Sequence, residues 1–133
     1  MKKNRCYTYF RIVGDFDVNA VEALLGLEGE SSHKATDLNR AGKEYGFAEW
    51  TFGRNEDDES DVAKQMERTI APLLAKAEAL KRIKEEYEVR FFLEVVPELY
   101  VGTLTPSISP SLSVIDFCHE TRTEIDIDYY LYK

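Results

Sequence analysis

Along residues 5–13 apolar and polar side chains alternate, with Cys6, Thr8, Phe10 and Ile12 on one side and Tyr7, Tyr9 and Arg11 on the other. That period predicts a strand with two unlike faces. Gly14-Asp15-Phe16-Asp17 reads as a turn, with Asp17 placed to N-cap a short helix whose Val18, Val21, Leu24 and Leu25 share a face and whose Gly26 suits the position just past its end. Residues 27–45 show no sustained period. A connection of that length in a small domain is more often functional or mobile than a short one, which makes it a candidate contact region. A second strand is expected at residues 47–52, between Gly46 and Gly53, with Ala48, Trp50 and Phe52 inward.

The acidic residues 55–61 read as a solvated loop entering a helix, where carboxylates suit the positive end of the dipole. They lack the glycine and the bidentate glutamate of a calcium loop. Val62, Met66, Ile70, Leu73, Ala77, Leu80 and Ile83 then recur every three or four residues, so residues 61–84 are helical. Pro72 removes one ladder bond and is predicted to kink or split this helix. A third strand at residues 89–96 turns Val89, Phe91, Leu93 and Val95 one way and ends at Pro97, and residues 99–104 offer a short edge strand. Ser109-Pro110 marks the start of a last helix burying Leu112, Val114, Ile115, Phe117 and Cys118. Residues 124–132 set Ile125, Ile127, Tyr129 and Leu131 against Glu124, Asp126, Asp128 and Tyr130, a final strand with one wet face. The order β-α-β-α-β-α-β predicts a single α+β domain over residues 1–133. Its mainly antiparallel sheet packs on helices, as a ferredoxin-like βαββαβ derivative with an extra helix.

Composition narrows the function classes. A net charge of −8 repels phosphate backbones and anionic lipid, which excludes nucleic acid and membrane as expected partners and favours a basic one. Arg11 interrupts any apolar run after the basic start, and no stretch reaches the roughly 18 apolar residues of a membrane helix, so the cytoplasm is the expected compartment. Cys6 and Cys118 each sit among apolar neighbours and read as core thiols; without well-placed histidines they build no zinc site.

No phosphate loop, nucleophile elbow or zincin motif occurs, so no catalytic, cofactor-binding or metal-binding residue is assigned. His33 lies in the polar connection, and His119 near a helix C-terminus, where an imidazolium suits the dipole. Glu124, Asp126 and Asp128 form an acidic row. Tyr7, Tyr9 and Arg11 also point away from the inferred core, and a ferredoxin-like sheet sets its first and last strands side by side. The resulting face, rich in tyrosine and carboxylate, is either covered by a further element or suited to a basic protein surface. Candidate partner-binding residues are therefore Tyr7, Tyr9, Arg11, Glu124, Asp126, Asp128 and Tyr130, joined by His33 from the connection.

Thr8-Tyr9-Phe10-Arg11-Ile12-Val13-Gly14-Asp15-Phe16-Asp17, Leu24-Leu25-Gly26-Leu27-Glu28, Trp50, Pro106-Ser107-Ile108-Ser109-Pro110 and Asp126-Ile127-Asp128-Tyr129 together resemble the bacterial domain-of-unknown-function family DUF4279. Residues 30–45 depart from the charged, tryptophan-containing pattern expected there. The resemblance implies a bacterial origin and an α+β fold and supplies no catalytic residues. Small acidic proteins of this general kind resemble immunity partners of basic toxin domains. The expected function is a non-enzymatic protein-binding module of that type. The alternatives are a small enzyme or ligand sensor using carboxylates and a histidine beside residues 27–45, and a homo-oligomeric structural protein pairing through its sheet.

Overall fold

The computed structural model describes residues 3–57 and 61–133. The alternating segment at the start is strand β1 (Arg5–Asp15), which lies in the middle of a six-stranded mixed sheet. On one side it pairs antiparallel with β3 (Ala48–Asp57), whose outer edge carries the short β2 (Ser31–His33). On the other side all eleven residues of β1 pair antiparallel with β4 (Glu88–Tyr100). Beyond β4 the parallel strands β5 (Thr123–Ile127) and β6 (Tyr130–Tyr132) follow one another along the same edge. The protein is thus α+β with a mainly antiparallel sheet. Because β4 takes the whole flank of β1, the first and last strands are not neighbours.

The helices pack on the even-numbered face of β1. Asp17 caps α1 (Val18–Leu25) by accepting from the Asn19 and Ala20 amides, and Gly26 closes it in the left-handed conformation at φ 65°. Pro72 splits the predicted long helix: α2 (Val62–Ile70) gives way to a 3-10 segment, Ala71–Lys76, and then to α3 (Ala77–Glu86). With α4 (Leu112–Thr121) they enclose a core of Phe10, Ile12, Leu25, Trp50, Met66, Leu73, Leu80, Ile83, Phe91, Leu93 and Phe117. Each such side chain contributes about 1.5–3 kcal/mol by leaving water. Cys6 and Cys118 are buried thiols in that core, not joined in a disulfide, and burial pushes Cys118 up to about 11. One polar node crosses it: the Thr8 hydroxyl donates to the Gln65 carbonyl (3.1 Å), and Thr69 on α2 donates to the Gly53 carbonyl on β3 (2.8 Å). Among the described residues no helix is long and apolar enough to cross a membrane.

Five sequence expectations need correction. The unpatterned connection contains β2, and of the expected acidic loop residues 55–57 are strand; residues 58–60 lie outside the described residues, and Asp61 caps α2 through the Lys64 amide (3.2 Å). The third strand runs through Pro97 instead of stopping there. The Val95 carbonyl accepts from the Asp128 amide (2.9 Å), so Val95, and by alternation Pro97, turns its backbone toward the β5–β6 edge. Pro97 there faces the gap between the end of β5 and the start of β6, where its missing N–H costs no ladder bond. The same gap interrupts the predicted final strand, and Ile127, Tyr129 and Leu131 are exposed, leaving Ile125 alone of that row against the core. The last helix starts later than Ser109-Pro110 suggested, with Ser111 at its N-cap, and buries Val114, Phe117, Cys118 and Thr121 while Leu112 and Ile115 face outward.

Gly14 shows how tightly the central ladder is built. It has φ 150°, and a Cβ there would overlap the Glu88 carbonyl oxygen and lie 2.9 Å from the Val89 Cα on β4. Gly14→Ala is expected to destabilise the fold by about 2–4 kcal/mol in urea titration; a change under about 0.5 kcal/mol would show that β1 and β4 do not approach this closely.

Candidate binding face

Among the described residues no helix lies over the other side of the sheet, the one that carries the odd-numbered residues of β1. Its polar groups form a diagonal row across five strands, set by register. His33 on β2 lies opposite Glu49 on β3, and its Nε2 is 3.4 Å from Glu49 Oε2. Glu49 Oε1 meets the Arg11 Nε at 3.2 Å, and the Arg11 Nη1 continues to Glu94 Oε1 on β4 at 3.6 Å. Glu94 then lies opposite Asp126 on β5 and hydrogen-bonds to it. Aromatic rings flank the row. Tyr45 stacks on His33 at 3.6 Å, Tyr7 and Tyr9 stack on each other at 6.1 Å, and Phe92 lies under both Arg11 and Arg90.

Glu94 is the unusual member, because only 4% of it reaches solvent. Burial, reinforced by the hydrogen bond and the charge of Asp126, pushes its carboxyl up to about 8, against the opposing pull of Arg11. A carboxyl raised this far favours its neutral form near pH 7, with the Asp126 side chain as its hydrogen-bond partner. Burial likewise pushes Tyr9 up to about 12, with the charge of Glu94 adding to it, so Tyr9 stays a neutral phenol able to donate. Tyr7 is raised by burial too; Arg54 opposes, and Glu98, Tyr130 and Asp128 add to it.

Between Tyr7, Tyr9, Thr51 and Arg54 lies a hollow of about 400 Å³, bordered by Glu30, Ser31 and Glu49. Its rim is fixed from below. The Glu22 carboxylate accepts from both the Gly29 amide (2.6 Å) and the Trp50 indole (3.2 Å), and Gly29 passes so close to Trp50 that a Cβ would strike the indole nitrogen. Glu30 follows directly and accepts from the Arg54 amide (3.0 Å), while the Arg54 guanidinium lies 3.9 Å over the Tyr7 ring.

The structure gathers the residues singled out from the sequence onto this side, though not through adjacency of first and last strands. Tyr7, Tyr9 and Arg11 are half-buried on β1, and His33 reaches them through Glu49. Asp126 reaches them through Glu94, whereas Asp128 and Tyr130 act on Tyr7 from the β5–β6 link and the start of β6. Glu124 is held apart by Arg90, which donates to both its oxygens at 2.7 and 2.9 Å. His119 stays exposed in the last turn of α4. Sequence reasoning missed Glu49, Glu94, Arg54 and Tyr45. The signal for the two glutamates was present, since each is a lone carboxylate at an alternating position of a strand with apolar neighbours.

Over residues 4–132 the chain matches the family described as Domain of unknown function (DUF4279). The chain belongs to that family. No curated protein and no solved structure matches it. Among the described residues of this DUF4279 chain, no group of three or more His, Cys, Asp or Glu side chains is arranged to hold a metal ion. The row can hold a proton, orient aromatic rings and attract cations.

The Glu94 proton has a consequence for stability. Its folded value of about 8 exceeds the ordinary 4.5, so its contribution is complete below about pH 4.5 and is lost as pH rises through about 8. Glu94→Gln removes that dependence. Between pH 5 and pH 8 the stability of Glu94→Gln relative to the native chain should rise by on the order of 3 kcal/mol, read from denaturant midpoints at each pH; a difference that does not change with pH would contradict the buried proton.

Proposed function

We propose that the protein is a non-enzymatic binding module whose open sheet face receives a basic protein partner. The observation that carries this reading is the state of the charges on that face. Three arginines there already have a carboxylate: Arg11 has Glu49, Arg54 has Glu56, and Arg90 has Glu124. Among the described residues no lysine or arginine pairs with Glu98, Asp126 or Asp128. These carboxylates lie among half-exposed tyrosines, which bury large area at low entropic cost and recur as anchors of protein interfaces. Acidity over the whole chain speeds encounter with a cationic protein and rejects nucleic acid. A toxin-neutralising immunity protein is the specific case that fits, since neutralising a basic domain needs a complementary surface and no chemistry of its own.

A second reading, a ligand sensor or small enzyme, draws on the hollow beside the His33–Glu49 pair. It would need His33 to exchange protons with a bound molecule, and Tyr45 stacked on the imidazole covers one of its faces.

Affinity capture with the native chain should recover a basic protein whose retention falls steeply between about 0.05 and 0.5 M salt and is lost with Asp126→Lys. Retention indifferent to both would overturn the reading.

A further inference from the structure

The alternation of Ile127, Tyr129 and Leu131 with Asp126, Asp128 and Tyr130 is the pattern of a strand buried on one face. In the single chain that face has no cover: Ile127 is 38% exposed, Tyr129 58% and Leu131 70%. Nearby, Leu112 and Ile115 on α4 are exposed as well, and Ile115 and Ile125 line one groove of about 500 Å³ between α4 and β5. Isolated surface leucines need no explanation, but a period-two apolar row along a free sheet edge does.

Backbone direction identifies what can lie against it. The Asp128 amide donates to the Val95 carbonyl and the Tyr132 carbonyl accepts from the Val101 amide, both at 2.9 Å, so the even-numbered residues turn their backbone groups inward. By alternation Ile127, Tyr129 and Leu131 direct theirs to the open side. An antiparallel partner must present the same spacing of outward groups, and an identical strand related by a two-fold axis does so. With the axis at Tyr129, Ile127 faces the Leu131 position of the other copy and Tyr129 faces its own image. Asp128 then lies opposite a Tyr130 position and Asp126 opposite a Tyr132 position. No carboxylate of this strand opposes another, which matters for two chains that each carry a charge of −8.

We infer that the β5–β6 edge is a homodimer interface, at which a second copy of this chain pairs antiparallel about Tyr129 and joins the two sheets into one. The interface leaves the outer face free and sets the two acidic faces side by side. It does not depend on the identity of any basic partner.

Two measurements test it on the full chain. Sedimentation at about 50 µM should give twice the 15.3 kDa chain mass. Leu131→Lys should return the chain mass with an unchanged circular-dichroism spectrum, while Leu38→Lys, at a similarly exposed site elsewhere, should leave the dimer intact. A native monomer, or a dimer insensitive to Leu131→Lys, overturns the inference. The second measurement fixes the register. In Tyr129→Cys the two introduced thiols would sit at paired positions about 5.5 Å apart at Cα, within disulfide reach, and diamide should oxidise them to a covalent dimer. In Ile127→Cys the equivalent positions lie roughly 13 Å apart and should not cross-link. Cross-linking of Ile127→Cys and not of Tyr129→Cys excludes the Tyr129 axis.

Discussion

The register of β1 governs this molecule. Its eleven residues pair with β4 throughout and with β3 over most of their length, and side chains alternate between faces at every step. A slip of one residue would carry Phe10 and Ile12 into water and bring Tyr9 and Arg11 beneath the helices. The register is held by the close passage of Gly14 at one end of the strand and by the Thr8–Thr69 hydroxyl contact (2.8 Å) near the other. Core and open face are therefore specified together, by the same hydrogen bonds.

What the fold leaves uncovered is a face made half of rings and half of charges. The diagonal from His33 to Asp126 is assembled from single residues on five strands, so its members become neighbours only when the whole sheet has formed. Buried charges of this kind are costly unless paired, and the row answers by alternating sign from Glu49 to Arg11 and by keeping Glu94 protonated where two carboxyls meet. The interior of the row is thus close to neutral. The acidity available to a partner lies at its margins, at Glu98, Asp126 and Asp128, beside tyrosines that give it shape.

Local pattern made much of this legible from the sequence. The two faces of β1, the Asp17 cap, the apolar seams of α2 and α3 and the break at Pro72 are statements about neighbours three or four residues apart, and the structure bears them out. The readings that failed depended on pairing at a distance. Pro97 looked like a strand end because its own sequence hides the gap between β5 and β6 that tolerates it. Leu112 and Ile115 looked buried because an apolar run on a short helix does not reveal which side meets the sheet. Glu49 and Glu94 were passed over for the same reason. A lone carboxylate in a strand is unremarkable until register sets an arginine on one side of it and an aspartate on the other.

On the proposed reading, cations meet the uncovered sheet face. Titration of the native chain with a hexalysine peptide, followed residue by residue through amide chemical shifts, tests it most directly. Salt-sensitive shifts are expected to concentrate on Tyr7, Tyr9, Glu98, Asp126, Asp128 and Tyr130. Shifts spread over α2 and α3, with those six residues silent, would contradict it.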